Sequence, residues 1–172
     1  MAREFVKESG VIQINSDVVR KRLHRIPLQA SSHSALNQGI YSPQATQKTY
    51  QTLLDLADLI LDSGFSVLVD ATFLQCAQRE AFQNLAKKHA VDFYILHCQM
   101  SEKILEKRVK QRHARCDTIS EADLSILTEQ QKIIEPLNEA EKKYTFLLTE
   151  EKASQKKALE KIFSNNHIEM LS

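Results

Sequence analysis

Apolar positions along the chain follow two periods. Short runs of adjacent apolar residues recur at Val11 and Ile12 with Ile14, at Val67-Leu68-Val69, at Phe93 to Cys98 and at "TFLL", residues 145–148. Each is too short for a helix, and a short run bounded by turn residues or an acid has the form of a buried strand in a parallel sheet. Between these runs the spacing changes. Tyr50, Leu53, Leu54, Ala57, Ile60 and Leu61 follow helical spacing from Pro43, suited to a first helical turn, to Gly64. Further helices are predicted from Asp17 to about His24, over 77–90, over 102–113 behind Ser101 as N-cap, and from about Ala153 to Phe163. Ser120-Glu121-Ala122-Asp123 opens another, with aspartate in the capping-box position usually held by glutamate or glutamine, and that helix stops near Pro136. Residues 2–8 read as the tail of a helix capped at Gly10. Strands alternating with helices predict an α/β fold whose parallel sheet is covered on both faces.

The stretch "RIPLQASSHSALNQGIYSPQ" carries two prolines, a glycine and serines, a long loop of the kind kept for binding or lids. A chain of 172 residues suits one domain with a real core, and the tail after Ser164 is expected to fray. Charge narrows the partners: 23 basic against 22 acidic side chains give no global field for a polyanion, so no stable nucleic-acid complex is expected. No apolar stretch reaches the roughly 18 residues of a membrane span, and a cytoplasmic protein is expected. Cys76, Cys98 and Cys116 are odd in number and lack C-x-x-C spacing, which suggests neither a disulfide framework nor a zinc site. His97 with Cys98, and His113 with Cys116, match no zinc pattern either.

In open parallel sheets ligands bind beyond the carboxyl ends of the strands, which directs attention to three groups. Asp17 and Arg20, three apart at a helix start, would stand side by side after one turn. Such a pair could supply a base for a substrate hydroxyl and a guanidinium for a substrate anion; it could equally be a dipole-favoured acid beside an exposed arginine. Asp70, with Thr72, ends the strand in "SVLVDATF", and apolar residues followed by Asp resemble a Walker B strand, whose acid holds magnesium or its water shell. Many strands end in Asp only because the chain turns. Arg108, Arg112 and Arg115, interleaved with Lys103, Lys107 and Lys110, could close over ATP phosphates or form a solvated basic face.

Taken in order, "SDVVRKRL", "GIYSPQATQKTYQTLL", "GFSVLVDATFL", "REAF", "FYILHC", "RVKQR" and "SEADLSIL…EPL" resemble the P-loop small-molecule-kinase-like ATP-binding proteins, often labelled AAA-family ATPases or predicted kinases. These occur alone or fused behind an aminoglycoside-phosphotransferase-like domain and are similar to polynucleotide kinases in layout. The resemblance runs from about Ala2 to Leu137. It implies ATP and Mg2+ as cofactors and, as acceptor, a hydroxyl of a small molecule or a nucleotide end. Asp17 and Arg20 fall on its substrate-side Asp-x-x-Arg, Asp70 on its Walker-B-like acid, and Arg108 and Arg112 on its lid; Thr72 and Arg115 are placed with the cofactor.

One part of the family pattern is missing. The only glycines are Gly10, Gly39 and Gly64, and no G-x-x-x-x-G-K-[S/T] can be written from them. That Walker A loop wraps the phosphates with its amides and follows a strand lying, in this family, between the strands that here are 66–69 and 93–98. The resemblance therefore predicts a P-loop NTPase-like sheet without its central first strand, an N-terminally shortened chain, and weak ATP binding. Roughly fifteen residues, an ordinary strand and the loop, would supply what is missing.

Overall fold

The structure is a computed structural model that describes residues 10–30, 39–98 and 133–149. Strand β1 (Ile12–Asn15) runs directly into helix α1 (Ser16–Leu23). A single 3-10 turn (Gly39–Tyr41) precedes helix α2 (Pro43–Asp62), which is followed by strand β2 (Val67–Asp70) and helix α3 (Cys76–Lys88). Strand β3 (Ile95–Cys98), the short helix α4 (Glu139–Lys142) and strand β4 (Thr145–Leu148) complete the elements. The expected segments at 2–8, 102–113 and 153–163, nearly all of the helix opening at Ser120, and the tail after Ser164 lie outside the described residues. Among the described residues no helix is long and apolar enough to cross a membrane.

The fold is α/β with parallel strands, as the alternating periods predict. Packing divides it between Asp92 and Phe93 into two compact units. In the first, β1 and β2 pair in parallel, with Ile12 opposite Val67 and Asn15 opposite Asp70. In the second, β3 and β4 pair in parallel, with Ile95 opposite Thr145 and Cys98 opposite Leu148. Each sheet has two strands among the described residues. The residues of β2 are half-buried rather than fully buried. A strand in a two-stranded ribbon keeps one edge that no strand covers, whereas an inner strand is sealed on both sides.

Core formation in the first unit centres on α2. Ala45, Thr49, Leu53 and Ala57 succeed one another every four residues, and this line is buried against α1, β1, β2 and α3. Leu53, Thr49 and Ala57 have no exposed surface, and the Thr49 hydroxyl is satisfied by donating to Ala45 O at 2.7 Å. Val11, Val19, Ile40, Phe82, Leu85 and Ala86 complete that core. The second unit holds its strands with edge-to-face aromatic pairs, Phe93 with Tyr144 and Tyr94 with Phe146, each at 5.5 Å between centroids. Its α4 is opened by a reciprocal cap in which Asn138 Oδ1 accepts from Glu141 N and Asn138 N donates to Glu141 Oε2.

Candidate functional site

At the carboxyl end of β2, Asp70 meets β1. Alternation places Gln13 and Asn15 on one face of β1, and the parallel register sets Asn15 opposite Asp70. Gln13 Nε2 and Asn15 Nδ2 both donate to Asp70 Oδ2, each at 3.0 Å. Oδ2 is thus occupied twice, while among the described residues Oδ1 accepts no hydrogen bond and no cationic side chain pairs with the carboxylate. Neutral amides supply this half-buried acid with hydrogen bonds but no counter-charge, which a cation from outside could supply.

The chain turns sharply just beyond. Phe73 has a φ of 46°, a left-handed conformation that costs a bulky residue strain and must be held by its surroundings. Tyr50 Oη accepts the Phe73 N–H at 3.0 Å, and Arg79, buried on α3, donates from Nη1 to Phe73 O at 3.0 Å. The Phe73 ring stands edge-on to Tyr50 and to Phe82, with centroids 5.5 Å and 5.2 Å away. Thr72, exposed, lies with Oγ1 3.3 Å from Tyr50 Oη. Asp70 and Thr72 are therefore presented from a fixed turn. Carboxylate and hydroxyl oxygens are hard donors, the kind that Mg2+ or its water shell takes.

Asp17 and Arg20 do not meet at one point. Asp17, exposed, pairs with Lys21 Nζ at 3.1 Å, one turn along the same face. Arg20 is buried, donates from Nη1 to Ile40 O at 2.6 Å and Thr46 Oγ1 at 3.2 Å, and places its guanidinium 4.9 Å from the Tyr41 ring centroid. Burial holds its pKa below the ordinary arginine value, opposed by Tyr41, Tyr50 and Asp17. The guanidinium ties α1 to the 3-10 turn and the first turn of α2. Sequence spacing reveals neither this anchor nor the clamp of Tyr50 and Arg79, because their partners are remote in the chain. Arg108, Arg112, Arg115, His113 and Cys116 lie outside the described residues. His97 and Cys98 are exposed at the end of β3.

A second polar cluster joins the far ends of α2 and α3. His89 Nε2 lies 2.5 Å from Asp58 Oδ1, and Nδ1 lies 3.6 Å from Asp62 Oδ1. These three could surround a cation. Both Asp58 oxygens, however, already accept from Lys88 Nζ, at 2.8 and 2.9 Å, and the group reads as an ion-pair staple between helices. Hydrogen bonds from Lys88 and then His89 hold the Asp58 carboxyl below its usual range, against the smaller opposing effect of burial. A carboxyl depressed by folding contributes stability above its unfolded pKa of about 4, and that contribution is lost as pH falls through the lower folded value. Asp58→Asn is accordingly expected to lower the melting temperature at pH 7 and to match the parent near pH 2. Melting curves across that range check it, and a constant gap would show that the loss is not electrostatic.

The sequence pattern of the AAA domain matches residues 1–137. Uncharacterized proteins of Mycobacterium tuberculosis and Mycobacterium bovis are 28% identical over 112 residues, covering 65% of this chain and 22% of theirs. The chain thus spans about a fifth of the length of these curated relatives. A solved structure from Chloroflexus aurantiacus, described as a "putative kinase", is similar with a TM-score of 0.64 over 94% of this chain and 88% of its own, at 17% identity. At that identity the likeness is one of fold.

Proposed function

This chain belongs to the AAA domain family, in its P-loop kinase-like form, and from that premise we propose that it is the ATP-binding domain of a cytoplasmic phosphotransferase acting on a hydroxyl of a small molecule or a nucleotide end. The observation that carries this reading is the Asp70 corner. It combines a strand-end acid with one oxygen held by two amides and the other available, beside the exposed hydroxyl of Thr72. Asp70 and Thr72 would hold magnesium, which when bound neutralises phosphate charge during transfer. Asp17, exposed at the first turn of α1, would take the proton of the acceptor hydroxyl. Arg20 would hold the wall of the acceptor side through Ile40 and Thr46. By the family resemblance, Arg108, Arg112 and Arg115 would supply cationic charge to ATP phosphates.

The test is transfer of labelled phosphate from Mg-ATP to 5′-hydroxyl oligonucleotides and to a panel of sugars and amino-sugars, using protein purified from its own cells. Asp17→Asn is expected to lower the rate by about a hundredfold to ten-thousandfold, the usual contribution of a general base. An unchanged rate would remove Asp17 from that role.

One observation favours a second reading, a binding or regulatory module without catalysis: Arg20, assigned by resemblance to the substrate side, is buried and donates to Ile40 O and Thr46 Oγ1. A polypeptide of this sequence alone lacks the amide cradle and lysine that supply the main phosphate contacts. Calorimetric titration with Mg-ATP separates the readings, since micromolar affinity for this polypeptide would overturn the expectation of weak binding.

A further inference from the structure

We propose that Asn15 is a positioning residue for Asp70, a single side-chain amide that ties the start of α1 to the strand-end acid. The metal-facing purpose of the arrangement rests on the function proposed above; the coupling itself does not. The two halves of the amide are engaged in different elements. Oδ1 accepts from Asp17 N at 2.9 Å and Val18 N at 3.1 Å, capping α1, while Nδ2 donates to Asp70 Oδ2 at 3.0 Å. The amide is planar, so fixing its oxygen on the helix fixes the direction of its nitrogen. Gln13, two residues earlier on the same face, adds a second donor to the same oxygen. Together they choose which carboxylate oxygen is taken and leave Oδ1 for an incoming cation, and they set Asp70 in register with the turn that carries Asp17.

The chemistry singles out asparagine. Serine, threonine and aspartate cap helices about as well, but only asparagine among the favoured caps also offers N–H donors to a neighbouring carboxylate. A residue present only as a cap is therefore replaceable by aspartate. Asn15→Asp keeps the cap and turns a donor into a second carboxylate at hydrogen-bond range from Asp70. Two carboxylates at that range repel, a cost that a residue serving only as a cap would not meet. The charged and titratable groups on the elements packed against these strands are Asp17, Arg20, Lys21 and Arg22 on α1 and Lys48, Tyr50, Asp55, Asp58 and Asp62 on α2. They are common to parent and variant, so a difference between the two reports Asn15 alone.

The experiment is a double-mutant cycle at pH 7 in the 172-residue chain: urea unfolding of the parent, Asn15→Asp, Asp70→Asn and the double variant, with α1 monitored by its amide signals. Asn15→Asp is expected to keep α1 and to raise the unfolding equilibrium constant about tenfold with Asp70 present, and to change it far less in the Asp70→Asn background. Gln13→Leu, which leaves the cap untouched, is expected to cost more stability with Asp70 present than in the Asp70→Asn background. Equal effects of Asn15→Asp in the two backgrounds would overturn the proposal and leave Asn15 a cap only. If Asn15→Asp does not fold, Gln13→Leu decides alone, and equal effects there overturn the shared-oxygen arrangement. Magnesium titration of the parent and of Asp70→Asn, followed by the same amide signals, addresses the metal role separately. Equal responses would defeat that role while leaving the coupling between Asn15 and Asp70 to stand or fall on its own cycle.

Discussion

Asp70→Asn is expected to lower magnesium-dependent phosphate transfer by the natively purified protein about a thousandfold, with the α/β fold retained. The substitution preserves the shape of the side chain and removes its charge. Gln13 and Asn15 can still donate to the remaining oxygen, so the β1–β2 corner keeps its polar contacts. What disappears is the anionic oxygen that would face the metal. Stabilisation of developing charge by a bound metal is worth several kcal/mol, and each 1.36 kcal/mol is a tenfold change in rate. Rate measurements at rising magnesium, with far-UV circular dichroism of both proteins, check the prediction. A rate within a few-fold of the parent at saturating magnesium would take Asp70 out of the site.

Leu53→Ala is expected to cost about 3–5 kcal/mol of stability, the upper part of the range for buried leucines. Leu53 has no exposed surface, and its neighbours one turn away, Thr49 and Ala57, are equally sealed. Helix α2 is held by α1, β1, β2 and α3, so the surroundings have little freedom to collapse into the vacated volume. Leu59 on the same helix is 63% exposed, and Leu59→Ala should change stability by no more than about 0.5 kcal/mol. Urea unfolding compares the two through their midpoints at a common slope. Similar losses for both would contradict the buried line along α2.

Much of the fold is legible because periodicity is local. Pro43 at the first turn and a repeating apolar spacing are sufficient to bound α2, and short segments rich in apolar residues are sufficient to locate β1, β2, β3 and β4. Helix α4 was also within reach of local reasoning, since Asn138 and Glu141 stand at capping-box spacing, although the helix is a single turn. The detail of burial is less legible. Tyr50, Leu54, Ile60 and Leu61 fit helical spacing, yet the sealed line is Thr49, Leu53 and Ala57, because a helix packed against several elements buries whichever face the others approach.

The sequence by itself determined the α/β alternation, the placement of an acid at the end of β2, the charged first turn of α1 and the family resemblance. Each depends on residues within a turn or a strand of one another, where covalent geometry fixes the outcome. Tertiary structure decided which atoms meet. Asn15 reaches Asp70 across 55 positions, Gln13 reaches it across 57, and Arg20 finds Ile40 and Thr46 rather than Asp17. Those contacts follow from strand register and helix packing, which bring together residues whose separation along the chain carries no record of the pairing.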